Sequence, residues 1–243
     1  MPNRRSATKT RNLLLDLLPP VESGPLLAIM ERVSLETKKS IGRAGQPIAF
    51  AYFPVSGMIS TVLTLADGNA VEMATIGCEG MVGVSLALGT DEDMYDLMTQ
   101  LAGESFRLPA RDFIKACGQY PALGTVVRRY AAVLLRQTGQ LVACNARHPV
   151  EGRLSRWLLM THDRAGAEEF PLTQEFLAMM LGVRRQSVTE TASALQQSGL
   201  ITYRRGVVRV VDRSGLEKAS CECYHAMRLT SERLLGEAEC VAS

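Results

Sequence analysis

The chain has 243 residues, 47% of them hydrophobic, with 27 Lys and Arg against 25 Asp and Glu. That length allows one or two domains, each with its own core, and no apolar run approaches the ~18–20 residues needed to cross a bilayer. Six cysteines, at 78, 117, 144, 221, 223 and 240, lack the spacing of a disulfide scaffold and point to a reducing cytoplasm.

The net charge of +2 is unevenly spread. Residues 40–116 hold four Lys and Arg against nine Asp and Glu, whereas residues 170–215 hold six arginines against Glu175, Glu190 and Asp212. The two parts of the chain are expected to meet different partners.

Residues 1–11 read as a polar, basic arm. Residues 12–33 predict one or two short helices, with Leu13, Leu14, Leu17 and Leu18 on one side and Leu26, Leu27, Ile29 and Met30 beyond Pro19-Pro20. The leucine run is short, carries Asp16 and lacks a small-residue cleavage site, so it is not a signal peptide. From Leu35 to Leu108 the texture changes to short runs punctuated by glycine. Strands are predicted over Ile48–Phe53, Met58–Leu65, Ala70–Ile76, Asp96–Gln100 and Glu104–Leu108, with Asp67-Gly68-Asn69 as a hairpin turn. This pattern predicts a small barrel or roll.

After Pro109 the apolar period returns to that of a helix. Ala110–Cys117 predicts a short helix, and Pro121 opens one that runs to about Arg147, a length near 38 Å. Val126, Tyr130, Val133, Gln137 and Gln140 form one stripe, and Val127, Leu134 and Leu141 another. Two stripes need two partners: the chain's own β domain and the same helix of a second chain. The residues expected to join two chains are Val126, Val127, Tyr130, Val133, Leu134, Gln137 and Leu141. His148-Pro149 ends the helix, and Glu151–Met160, with the lone Trp157, begins the last domain.

The most informative stretch is Leu172–Asp212. Thr173 caps a helix with Phe176, Leu177, Met180 and Leu181 at helical spacing; Gly182 breaks it, and a second helix runs from about Arg184 to Ser198. Val188 and Leu195 face inward, while Arg184, Arg185, Gln186, Ser187 and Thr189 face outward. Ala178, Gly182 and Val188 supply the small contact residue, tight turn and apolar anchor of a helix-turn-helix. Strands over Leu200–Tyr203 and Val207–Val211 flank an Arg204-Arg205-Gly206 tip and make a wing. Arginines at the second helix and at the wing can meet a phosphate backbone together, so double-stranded DNA is the expected partner. There is no Ser/His/Asp set, phosphate loop or strongly spaced metal-ligand pair, and an enzyme is not expected.

This order of parts resembles the cyclic-AMP receptor protein/fumarate-nitrate regulator (Crp/Fnr) family, most specifically over LTQEFLAMMLGVRRQSVTETASALQQSGLI and the following RRGVVRVVD. The resemblance implies an α+β fold. An N-terminal β-roll of the cyclic-nucleotide-binding-like jelly-roll type (1–120) would precede a long central dimerisation helix (121–147) and a C-terminal winged helix-turn-helix with a helical tail (148–243). It further implies a homodimer, a palindromic DNA site read by the second helix of the motif, an effector pocket in the roll, and RNA polymerase as a further partner. By position, the base-reading residues fall at Arg185, Gln186 and Glu190, with Ser187 beside them. In the best-known members the last two are typically Glu and Arg, so a different half-site is expected: Arg185 suits guanine, Gln186 adenine, and Glu190 a cytosine amino group. Thr173, Gln174, Arg184, Thr189, Arg204 and Arg205 complete the expected DNA-binding set.

Cyclic-nucleotide members resemble one another in a phosphate cassette, which here matches Glu79, Gly80, Met81, Val82, Gly83 and Val84. Val84 stands where the ribose-binding carboxylate is expected, and Gly89–Tyr95 offers three carboxylates and no cation. A phosphate would be repelled there, so cyclic AMP is not expected and the effector of this pocket is unassigned. Iron–sulfur members carry cysteines near the N-terminus, and none precedes Cys78. Cys221, Cys223, His225 and Cys240 group soft ligands near the C-terminus that can hold metal or form a thiol switch. Because the tail reads as one helix from Leu216 to Leu235, positions two apart point to different sides, and ordinary helix residues are the simpler expectation. A third reading is an effector-independent architectural DNA binder.

Overall fold

The computed structural model describes residues 9–236. The chain opens with α1 (Leu13–Asp16) and α2 (Pro20–Ala28). Asn12 caps α1, its Oδ1 accepting from the Leu14 and Leu15 amides while Nδ2 donates to the carbonyls of Pro54 and Gly80. The leucines after it are thereby fixed against the roll, and Leu14, Leu15, Leu18 and Leu26 are buried.

The roll follows as β1 (Glu31–Leu35), β2 (Ser40–Gly42), β3 (Phe50–Pro54), β4 (Met58–Thr64), β5 (Ala70–Ile76), a 3-10 turn at Val84–Leu88, β6 (Asp96–Leu101) and β7 (Gly103–Pro109). Two antiparallel sheets, ordered β1-β7-β3 and β2-β6-β4-β5, share a core of Leu35, Tyr52, Ile59, Ile76, Val82 and Leu97. Four of the five predicted strands shift by one or two residues at an end, and the β5 bounds agree. The strands β1 and β2 were not expected: β1 is a mostly exposed edge and β2 has three residues, so neither shows a buried alternation.

Next come α3 (Ala110–Gln119) and α4 (Pro121–Arg147), whose 27 residues span about 40 Å. Tyr130 of α4 lies where any side chain at Gly80 would sit, so that glycine lets the long helix seat on the roll. The C-terminal portion consists of α5 (Val150–Ala165), β8 (Glu169–Pro171), α6 (Gln174–Leu181), α7 (Arg185–Gln197), β9 (Ile201–Arg204), β10 (Val207–Val210) and α8 (Arg213–Ala219). Its sheet is ordered β8-β10-β9. The chain then turns back along α4 as α9 (Cys223–Leu235).

The tail is thus two helices rather than one. Ser220 leaves helical geometry (φ −74°, ψ 154°), and the Cys221 amide donates to the Gly152 carbonyl of α5. Burial of Leu216 on one side and of Cys223, Tyr224 and Met227 on the other stabilises the break.

The C-terminal portion docks on the roll through polar contacts that are themselves buried. Trp157 Nε1 donates to Glu72 Oε1 at 3.0 Å, and Ser60 donates to the other oxygen at 2.9 Å. Arg164 of α5 pairs with Glu79 at 2.7 Å, and both side chains are largely out of water. Burial raises the pKa of Glu72, against the two hydrogen bonds and the nearby Arg156 charge.

Candidate nucleic-acid interface

Thr173 takes an extended backbone, and its hydroxyl accepts from the Phe176 amide, starting α6 as a capped helix. Gly182 (φ 61°) ends it in the left-handed conformation that glycine adopts without penalty. Leu177, Ala178, Met180 and Leu181 then pack with Val188, Ala192 and Leu195 of α7 in one core, so α7 has only one face available for a partner.

That outer face carries Arg184, Arg185, Gln186, Thr189 and Glu190, all exposed, with Ser187 half-buried. Gln174, Arg185, Gln186, Thr189 and Glu190 line one shallow open depression. Gln186 Nε2 donates to Glu190 Oε1 at 2.9 Å, and the Thr189 hydroxyl donates to Gln174 Oε1 at 2.8 Å. One polar pair therefore links two of the expected base-reading groups, Gln186 and Glu190, and the other ties α7 to the start of α6. At the wing, Arg205 (φ 50°) and Gly206 (φ 75°) form the two-residue turn that matches strand twist, leaving Arg204 and Arg205 exposed.

Electrostatics separate the six arginines of residues 170–215. Arg209 pairs with Glu168 at 2.6 Å, and Arg213 is held by Asp163, Glu217 and the Tyr224 hydroxyl. Arg184, Arg185, Arg204 and Arg205 have no carboxylate partner among the described residues. The structure thus brings together the DNA-binding set read from the sequence, except that the Thr173 hydroxyl is engaged as a cap.

Residues 152–219 match the family described as the Crp-like helix-turn-helix domain. The fold is similar to that of FixK2 from Bradyrhizobium japonicum (TM-score 0.68, 17% identity), covering 79% of this chain and 98% of that one. It is also similar to the c-di-GMP-responsive global regulator CLP of Xanthomonas campestris (TM-score 0.64, 19% identity, 79% and 99% covered). A CRP-family transcriptional regulator of Thermus thermophilus gives a TM-score of 0.63 at 22% identity, with 79% and 96% covered. Residues 152–219 thus form a Crp-like helix-turn-helix domain, and the chain has the fold of these Crp/Fnr-family structures. No curated protein sequence matches it.

The long helix departs from the sequence expectation. Val126, Val127, Tyr130, Val133, Gln137 and Leu141, expected to join two chains, are buried by the chain's own packing, and Leu134 is partly buried. The N-terminal leucines and α3 cover one end of these stripes; Cys221, Tyr224 and Met227 share a core with Leu141 at the other. The face of α4 left open instead carries Ala132, Leu135, Gly139, Val142 and Ala146, with Leu135 76% and Val142 64% exposed.

The segment Glu79–Val84 is also placed by contacts within the chain. Glu79 meets Arg164, the Gly80 carbonyl accepts from Asn12, and Met81 and Val82 are core residues. Gly83 (φ 88°) and Val84 lead into the 3-10 turn. Of the acidic run that follows, Asp93 is buried, which pushes its pKa up to about 6.

The tail cysteines acquire partners that sequence spacing concealed. Cys221 and Cys223 meet Cys144 and His148, and one ligand atom of each lies within 4.8 Å of all the others. His225 is exposed and stands outside this group, correcting its place in the expected set; Cys240 lies outside the described residues. The missed signal was Cys144 and His148, four apart at the end of α4, a spacing that puts both on one helix face. Among the described residues no helix is long and apolar enough to cross a membrane.

Proposed function

We propose that the protein is a homodimer that reads a two-fold symmetric DNA site by placing α7 in successive major grooves. The observation that carries this reading is the outer face of α7 and the wing, where four arginines without carboxylate partners among the described residues flank the paired Gln186 and Glu190. Arg185 would contact guanine, Gln186 adenine and Glu190 a cytosine amino group, while Arg184, Arg204 and Arg205 meet phosphates. Thr173 and Gln174 would add phosphate contacts from the start of α6. Residues 1–120 form the sensing part, 121–147 the joining helix and 148–243 the DNA-binding part.

The joining surface is proposed to be the open face of α4. Ala132, Leu135, Gly139, Val142 and Ala146 recur at alternating steps of three and four, the period of a coiled-coil seam that pairs with a copy of itself. Cyclic AMP is not the proposed signal, since the cassette lacks a cation and Glu79 is already engaged by Arg164.

Selection from a randomised DNA library, followed by gel-shift titration of the winning sequence, tests the reading. A palindromic winner with half-sites one helical turn apart, bound by two chains, is the expected result. Sequence-independent binding of equal strength would overturn it.

A further inference from the structure

Three thiols and an imidazole converge where α4 ends, α5 begins and α8 gives way to α9. Cys144 sits in the last turn of α4 and His148 caps that helix; Cys221 and Cys223 flank the break in the tail. The Sγ atoms of Cys144 and Cys221 are 3.5 Å apart, and Cys223 Sγ is 3.5 Å from His148 Nδ1. Zinc–sulfur bonds of about 2.3 Å and zinc–nitrogen bonds of about 2.0–2.1 Å give a tetrahedron with edges of roughly 3.4–3.8 Å. At that separation the Cys144 and Cys221 sulfurs are in contact but not bonded, since a disulfide would hold them about 2.05 Å apart. The spacing is too compact for a multi-iron cluster, which spreads its cysteines over several metal atoms.

The surroundings complete such a centre. His148 Nε2 lies 3.0 Å from Glu222 Oε1, so a carboxylate can fix the ring with Nδ1 turned toward the thiols. Gln140 Nε2 donates to Cys223 Sγ at 3.0 Å, a contact that favours sulfur as thiolate. Arg153 and Arg156 are only 7% and 2% exposed, and their Nε atoms have no hydrogen-bond partner among the described residues. The charge of Arg156 acts on Cys144, and those of Cys144 and Cys221 act on Arg153. Three thiolates around a divalent ion leave one negative charge, which two buried guanidiniums can balance. No carboxylate is among the four ligands, so oxygen-seeking ions such as magnesium and calcium do not fit.

We propose that Cys144, His148, Cys221 and Cys223 bind one zinc-class divalent ion, which clamps the tail to the junction of α4 and α5. The ion would tie three segments far apart in sequence at the point where the long helix hands over to the DNA-binding portion. Its occupancy is therefore an input to DNA affinity, a claim that rests on the DNA-binding reading above.

Full-length protein purified under reductant and stripped with chelator is titrated with Zn²⁺, and with Co²⁺ as a spectroscopic probe, in the absence of DNA. One ion per chain, with the ligand-field and thiolate charge-transfer absorption of tetrahedral cobalt, is expected. Cys144→Ser and His148→Ala should each weaken binding at least tenfold, whereas Cys117→Ser and His225→Ala should not change it. The half-exposed His148 gives a variant expected to fold, and circular dichroism checks this. Substoichiometric binding, binding untouched by His148→Ala, or bound sulfide with several irons per chain would overturn the site. DNA titration with and without Zn²⁺ follows separately: unchanged affinity with the ion fully bound would overturn its role as an input, while failure to bind DNA under any condition would overturn the DNA reading alone.

Discussion

The proposed seam on α4 makes the sharpest demand on the structure. Leu135 and Val142 are 76% and 64% exposed in the single chain, and fully burying such side chains stabilises by about 1.5–3 kcal/mol each. Scaled to the area still open, each contributes roughly 1–2 kcal/mol, and two-fold symmetry doubles the pair to about 4–8 kcal/mol of association. Leu135→Glu with Val142→Glu removes this and places like charges across the seam, raising the dimer dissociation constant by about three to six powers of ten. Because both side chains face water in the monomer, circular dichroism and the urea midpoint should hardly change. Sedimentation velocity at micromolar concentration should then show a folded monomer with weak, salt-sensitive DNA binding. A contrasting change, Leu141→Glu, buries a charge in the chain's own core and should unfold the protein instead. A Leu135→Glu/Val142→Glu protein that sediments as an unchanged dimer would refute the seam.

At the DNA face, Arg185→Ala should cost about 1–3 kcal/mol on the selected site and relax preference at one base pair per half-site. Arg205→Ala should weaken cognate and random DNA alike and lower the salt slope by about 0.9 per chain, read from titrations at several salt concentrations. Asp93 gives a pH signature: with its folded pKa near 6 against 3.8 in the open chain, the folded state binds the extra proton between those values, so stability falls as pH rises through that window. Asp93→Asn should abolish that fall and stabilise the protein at pH 7.5 by up to about 3 kcal/mol, measured by urea unfolding at several pH values; an unchanged pH profile would count against it. Arg164→Met removes the guanidinium paired with the buried Glu79 and should cost about 3 kcal/mol; a loss under 1 kcal/mol would mean the buried pair contributes little.

The sequence shows most clearly those elements whose stability is local. The bounds of α4 follow from Pro121 and the His148-Pro149 break, and those of α6 and the wing from Thr173, Gly182 and Gly206. The outer face of α7 was legible for the same reason: once the amphipathic period orients α7, the residues that face outward follow. The strand β1 was hidden because Glu31–Leu35 presents mostly exposed residues on an edge, with pairing to β7 as its main support. The two apolar stripes of α4, matched in the sequence to the β domain and a second chain, are covered by the chain itself. Sequence periodicity reports that a stripe is covered, not by what, and here the leucines of α1 and the tail helix α9 supply the cover.

The break at Ser220–Glu222 shows the deeper limit. It contains neither glycine nor proline, and its extended geometry is held by the Cys221–Gly152 hydrogen bond and by burial on both sides, so no local propensity announces it. Yet the break decides whether Cys221 and Cys223 diverge around one helix or converge on Cys144 and His148. The same junction constrains how a signal can travel. The C-terminal portion is fastened to the roll by Glu72 with Trp157 and by Glu79 with Arg164, so parting the two would take one donor from Glu72, which keeps Ser60, and the guanidinium from Glu79, which keeps the Gly77 amide, at a cost of a few kcal/mol in all. A signal that parts the two must supply at least that much.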